Sequence, residues 1–375
     1  MKWLQNGNLT KLVAFFVIAV VIVCTVSFAA NGWQSFINDG NDDDNVTTDN
    51  SEENNEENKN TDGEDTNDDI PVIQPTPKYY HLITGLETTF EDSLKKPICI
   101  SLESSHPLYG ISSSYLTIEF PTEYGNTRLL CFTDEAKSLG KIGSIAPSRG
   151  YISNLATYFG GVLLSYGNDD RFKYNYDSPS CTLDFDAISG YCYTEYNTFV
   201  YTNGDLVNAF INNSAPNQSY NDKINLPYNF SSSEDNTPTG ENATSVTITY
   251  SDNNASLLTY SLQDKQYIFT KSVKDASLKN DLLNDKPLKY DNVFILYADS
   301  TTHETEEDTQ LILDTNTSGT GIYVSHGKYV EISWERTASG SLVFYNADGE
   351  ILTVSRGTSY IGFAKASSKS SISIS

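Results

Sequence analysis

Positive charge is scarce in this chain. Twenty-four Lys and Arg stand against 49 Asp and Glu, leaving a formal net charge of −25. That balance excludes nucleic acid as a partner, because phosphate binding needs clustered Lys and Arg. It also sets up repulsion from anionic surfaces. Cysteine is nearly as sparse, with five in 375 residues, so the fold cannot depend on disulfides. None forms a C-x-x-C pair, and the four histidines do not cluster with them at ligand spacing, which argues against zinc. Cys99 and Cys131 can bridge neighbouring strands, Cys181 and Cys192 can close a loop, and four buried thiols are an equal alternative.

Catalytic signatures are missing too. There is no G-x-S-x-G elbow, P-loop, H-E-x-x-H or K-T-G. Ser93-Leu94-Lys95-Lys96 fits S-x-x-K and Ser251-Asp252-Asn253 fits S-D-N, but Pro97 stands where a helix should continue, and Ser325 to Lys328 matches S-x-x-K by chance. His81, His106, His303 and His326 are scattered and read as surface or loop residues. No catalytic residue, cofactor or metal is implied. The 25 tyrosines and 17 phenylalanines indicate core and strand surface, with a sugar-stacking face as the lesser alternative.

What the chain does have begins at Leu12. Nineteen residues run to Ala30 without a charge. As a helix they span roughly 28 Å, close to the ~30 Å hydrocarbon core of a bilayer. Lys2 and Lys11 precede the run and Trp3 and Trp33 bracket it, which predicts a single-pass anchor with a cytoplasmic N-terminus. Cleavage after Ala29 is one alternative and lipid attachment at Cys24 another, although Val23 sits where a lipoprotein signal carries a small residue. Each places the bulk of the chain outside the cytoplasm. Asn38 to Asp69 then holds fourteen acids, nine Asn and one Lys, −13 of the total charge. Too little apolar surface is present to order it, so the sequence predicts an extended, disordered spacer. No EF-hand spacing occurs within it.

The remainder is long enough for two domains. In the first, Tyr115 to Phe120 alternates apolar and polar residues and reads as a half-buried strand. Arg128 to Phe132 and Gly161 to Tyr166 read as buried strands. Between them Ile152, Leu155, Ala156 and Phe159 recur at helical spacing behind Ser148 as N-cap. Strand, helix and strand imply an α/β unit with a right-handed crossover, and a second helix is expected over Gly204 to Asn212. Ser231 to Asn242 is polar and reads as a linker. Strands follow at Val246 to Tyr250, Asn292 to Tyr297, Tyr329 to Trp334 and Ser359 to Ala364, with a hairpin across Asn346-Ala347-Asp348-Gly349 and a frayed tail after Ala364. The expected fold is α+β. Its parts are a tail at 1–11, the anchor at 12–30, the acidic linker at 31–78, an α/β domain at 79–230, a linker at 231–243, a β-rich domain at 244–365 and a tail at 366–375.

Several segments carry a family resemblance. Leu82-Ile83-Thr84-Gly85-Leu86, Gly110-Ile111-Ser112, then Ile118-Glu119, Glu123, Gly125 and Thr127-Arg128, and Ile142-Gly143 through Ser148-Arg149 resemble the N-terminal signatures of the YerB-like family. Asn292-Val293, Gly319-Thr320-Gly321, Trp334, Asp348-Gly349 and Gly357 resemble its C-terminal pattern. The resemblance covers residues 82–364 and implies a two-domain bacterial envelope protein of unknown function. This chain departs from the pattern at Ala146, where the family has an Arg, and at Ser165-Tyr166 and Tyr196, where it has His. A reactive cluster in relatives would be eroded here, which favours binding over catalysis.

Glu119, Glu123, Arg128 and Arg149 form the best polar constellation. Arg149 opens a helix whose free N–H groups attract an anion, and Arg128 can join it around a phosphate or carboxylate. The plainer reading pairs the glutamates with the arginines as structural ion pairs. Acid–base work by two carboxylates needs a separation that sequence cannot show. The function expected is a membrane-tethered, non-catalytic binding or scaffold protein of the cell envelope, with an envelope protein or wall polymer as partner. The alternative is an envelope enzyme acting on wall glycan or a phosphorylated precursor.

Overall fold

Short runs rich in β-branched and aromatic residues recur from Ile98 to Ala364, and they form strands. The computed structural model describes residues 77–166, 182–184, 190–196, 198–214, 226–233, 236–274, 276–304, 309–338 and 340–375. The expected anchor, the acidic spacer and Cys181 lie outside these residues. Among the described residues no helix is long and apolar enough to cross a membrane.

In chain order the principal elements are β1 (Ile98–Glu103), β2 (Leu116–Pro121), β3 (Thr127–Thr133), α1 (Gly150–Tyr158), β4 (Val162–Ser165), β5 (Thr182–Asp184) and α2 (Gly204–Ser214). There follow β6 (Glu241–Asn242), β7 (Ser245–Ser251), β8 (Asn254–Ser261), β9 (Gln266–Val273), β10 (Asn292–Ala298), β11 (Ser318–Ser325), β12 (Lys328–Arg336), β13 (Leu342–Tyr345), β14 (Ser359–Lys365) and β15 (Ile372–Ile374). Ten of them line up in one sheet as β6-β12-β11-β10-β14-β2-β3-β1-β4-β5, and β13 joins on β12. The chain is therefore mostly β, and strands from both halves share one hydrogen-bonded sheet. The seam is the parallel pair β14–β2, with Tyr360 opposite Thr117 and Gly362 opposite Glu119.

A second, six-stranded sheet built on β7, β8, β9 and β15 covers one face of the first. Its Val246, Ile248, Leu258, Tyr267 and Phe269 pack with Ile100, Leu102, Val293 and Ile295. The opposite face carries Ile118, Phe120, Phe132, Phe294 and Phe363 against Ile152 and Leu155 of α1, against Phe159 just beyond its end, and against Trp334 and Phe344. Gly362 permits the close approach of the second sheet, since an added Cβ there would lie 2.6 Å from Ile248 Cδ1. A further tie between the halves is Asp281, fully buried, which accepts hydrogen bonds from Gly110 N, Ser112 N and Ser112 Oγ at 2.7–2.9 Å.

Several expectations change in the folded chain. The polar side of β2 does not face water: Thr117 and Glu119 are covered by the second sheet. Nor do β3, α1 and β4 make a crossover unit. Both strands flank β1, antiparallel to β3 and parallel to β4, so β3 and β4 run in opposite directions. Arg149, not Ser148, occupies the cap position of α1, without a side-chain capping bond, while Ser148 Oγ lies 3.1 Å from Ser153 Oγ. Cys99 and Cys131 sit on opposite faces of the sheet, because Cys99 pairs with Phe132 and the pleat alternates. They cannot bridge. The hairpin across Asn346–Gly349 forms, with Tyr345 opposite Ile351 and Leu352 N bonded to Phe344 O, and its second arm then pairs Thr353–Val354 with Asn229–Phe230. The tail is not frayed: β15 adds to the edge of β7. The polar stretch after Phe230 is pinned by Ser231 N to Val354 O and by β6 on β12.

Candidate functional site

Strand alternation carries Glu119 inward from β2 toward the second sheet, and the same rule carries Lys271 inward from β9 behind Tyr267 and Phe269. The two meet with neither side chain exposed, Lys271 Nζ to Glu119 Oε1 at 2.5 Å. Thr127 Oγ1 donates to the same oxygen at 2.6 Å, while Ser256 Oγ and Tyr360 Oη donate to Oε2 at 2.7 and 2.5 Å. Lys271 also donates to Ser256 Oγ at 3.0 Å and lies 4.9 Å from the centre of the Tyr250 ring. Each carboxylate oxygen thus has two donors. Burial alone would raise the Glu119 pKa, but the Lys271 charge and these hydrogen bonds hold it below the usual carboxylate range. Burial draws Lys271 downward and Glu119 opposes that. The hydroxyls of Tyr250 and Tyr360 are pushed well up by burial and by the Glu119 charge. This cluster joins β2, β3, β8, β9 and β14, so it spans the seam.

The other three expected residues lie on the far side of the sheet, at the start of α1. Arg149 Nη2 is 3.3 Å from Glu123 Oε1, which also accepts Leu311 N at 3.2 Å. Arg128 Nη1 donates to Pro147 O at 2.9 Å, and its Nε, buried and without a hydrogen-bond acceptor, is 3.7 Å from Glu103 Oε2. Burial and the neighbouring Arg149 charge lower the Arg128 pKa, against the pull of Glu103 and Glu123. The structure therefore brings Glu123, Arg128 and Arg149 together and separates Glu119 from them. Lys271, Tyr360, Ser256 and Glu103 were missed at the level of sequence. A readable signal did exist for Lys271, a lysine in phase with two inward-facing aromatics.

Among the described residues, cavities open on the surface in at least two places. One, of about 580 Å³, is lined by Glu241, Tyr329, Glu331 and Asp348 among others. The second, of about 470 Å³, lies where β2 and β14 end, between Pro121–Gly125, Thr249–Asp252 and residues 364–373.

Residues 83–225 match the N-terminal domain, and residues 246–361 the C-terminal domain, of a protein family of unknown function, DUF3048. The chain belongs to this family. It is 24% identical over 303 residues to the protein named "Putative lipoprotein YerB" of Bacillus subtilis (strain 168), covering 78% of this chain and 88% of that one. The crystal structure of YerB from Bacillus subtilis superposes with a TM-score of 0.66 at 20% identity, over 80% of this chain and all of that one. This likeness establishes the shared DUF3048 fold. The two family domains are the two halves whose strands meet at β14 and β2.

Proposed function

We propose that the protein is a non-catalytic binding module of the bacterial cell envelope, held at the outer face of the membrane, where it engages a wall polymer or an envelope protein. One observation carries the preference for binding over turnover. Glu119, half of the carboxylate pair that could have done acid–base chemistry, is sealed between two sheets with all its acceptor positions used, and Glu123 lies across the sheet from it, engaged with Arg149. A general acid or base must reach the proton it moves, and Glu119 reaches nothing outside the core.

The location rests on the apolar run at 12–30 and on the name of the Bacillus relative. Anchoring through a retained helix and anchoring through a lipid on Cys24 are separated by metabolic labelling with a clickable fatty acid. Label lost in Cys24→Ala identifies the lipid; without label, a mature N-terminus at Met1 identifies the retained helix and one at Ala30 the cleaved signal. For the function itself, the full-length protein in detergent should sediment with purified cell walls and release no soluble fragments from them. Fragment release that disappears in Glu123→Gln would overturn the binding reading in favour of the enzyme.

A second reading has one observation in its favour. Arg128 Nε is buried without a hydrogen-bond acceptor beside the uncapped start of α1, a setting that suits a phosphate or carboxylate group. Under it the partner is an anionic wall precursor rather than a polymer.

A further inference from the structure

The cavity at the ends of β2 and β14 has a composition that indicates its ligand. Its walls come from three separated segments, two of which follow the parallel strands that join the halves. Sites at such junctions are common, because neither half alone makes the concavity. Thr122, Thr249, Ser251, Ser371 and Ser373 line it, with Asp252 and Lys365 as one acid and one base. Short hydroxyls both donate and accept, and the charges balance, so the lining favours neither a free anion nor a cation. A polyhydroxylated neutral ligand matches it.

Between the lining residues Thr122 and Gly125 the chain carries Tyr124, which is not itself part of the lining. It is 79% exposed, and its backbone lies at φ +58°, ψ 25°, where side-chain-bearing residues are uncommon. Its turn is held from below. Gly125 follows at φ +72°, and an added Cβ there would lie 2.5 Å from Ser251 Cβ. Asn254 Nδ2 donates to Gly125 O at 3.0 Å, and Ser251 Oγ to the same oxygen at 3.3 Å. The Asn254 amide leaves its own Oδ1 buried and without a donor beside this wall. The fold thus holds an aromatic ring out in water, on a pinned turn whose Thr122 and Gly125 line the hydroxyl-rich groove. An aromatic face presented this way gains contact area at little cost in conformational freedom.

We propose that this groove binds a carbohydrate chain, with Tyr124 stacking on the C–H face of one sugar ring and the groove hydroxyls and Asp252 bonding its hydroxyls. The proposal rests on the protein being a binding module, and it names the site and the ligand class. About 470 Å³ lies within the range of small-ligand sites, ~300–1,000 Å³.

The test is calorimetric titration of the full-length protein, in a detergent without a sugar headgroup, with chitotetraose, cellotetraose and maltotetraose. Saturable binding of at least one is expected. Tyr124→Asn should weaken it at least tenfold without lowering the thermal midpoint, since Asn tolerates positive φ. Asp252→Asn should weaken it several-fold. Tyr196→Asn is the matched control: Tyr196 is 86% exposed at φ +55°, but its segment contributes no residue to the groove, whereas Tyr124 sits between Thr122 and Gly125, and affinity should be unchanged. No binding of any tetraose, or equal binding by Tyr124→Asn, overturns the proposal. Sedimentation with cell walls separates the two claims. Walls bound equally by wild type and Tyr124→Asn leave the module's function intact and remove the groove. Tetraose binding that depends on Tyr124, without wall binding, keeps the groove and removes the envelope role.

Discussion

Replacing Lys271 by Met tests the centre of the fold. Met keeps nearly the same length and volume, so little of the effect comes from a cavity. What remains is a carboxylate at 0% exposure with three neutral hydroxyl donors and no cation. Breaking a buried pair in this way costs about 3–5 kcal/mol. The double variant Glu119→Gln/Lys271→Met removes both charges and keeps an acceptor for the hydroxyls, so it should be less damaged than the single, with a coupling of about 2 kcal/mol. The pH dependence carries the sign. In the wild type the folded-state pKa of Glu119 is depressed, so its contribution is present above the unfolded value of about 4.3 and is lost as pH falls through the folded one. Without Lys271 the folded value should rise above the unfolded one, so the deficit should be largest at pH 8 and shrink towards pH 5. Urea unfolding followed by the fluorescence of Trp334, 1% exposed, reads both. A cost under about 1 kcal/mol, as for a surface pair, or a deficit independent of pH, would refute the reasoning.

Three further outcomes are expected. Burial raises the Cys131 thiol to about 12, so it should resist maleimide in the native protein, and mass spectrometry under non-reducing conditions should find no Cys99–Cys131 bridge; finding one would contradict the register of β1 and β3. Asp281→Ala strips an acceptor from Gly110, Ser112 and Leu283 and should cost about 3 kcal/mol in chemical denaturation, whereas an unchanged midpoint would mean the tie between the halves is slack. Truncation after Ser371 removes β15 and with it the half-buried Ile372 and Ile374; a loss of about 1–3 kcal/mol is expected, and none would return the tail to the frayed state that its composition suggests.

The apolar and alternating patterns located β2, β3, β4, β7, β10, β12, β14 and both principal helices to within about two residues, because burial imposes a period on any chain that forms a layer, but they did not single out β1, β8, β9 or β11. The sequence grouped Glu119, Glu123, Arg128 and Arg149 as one constellation with Arg149 at a helix start, whereas the folded chain gathers the last three there and holds Glu119 across the sheet. Their mutual contacts, and the absence of a capping bond from Ser148, depend on side-chain geometry that spacing does not encode.

By itself, then, the amino-acid sequence determined the family, the β-rich second half and the positions of both principal helices. Only the tertiary structure decided that β14 would pair with β2 and weld the halves into one sheet, because strands of equal hydrophobicity compete for the same edge and shape complementarity chooses between them. That choice brings Lys271, 152 positions along the chain, onto Glu119. A polar residue at an alternating position looks solvent-facing until its cover is known. Here the cover is a second sheet carrying the compensating charge.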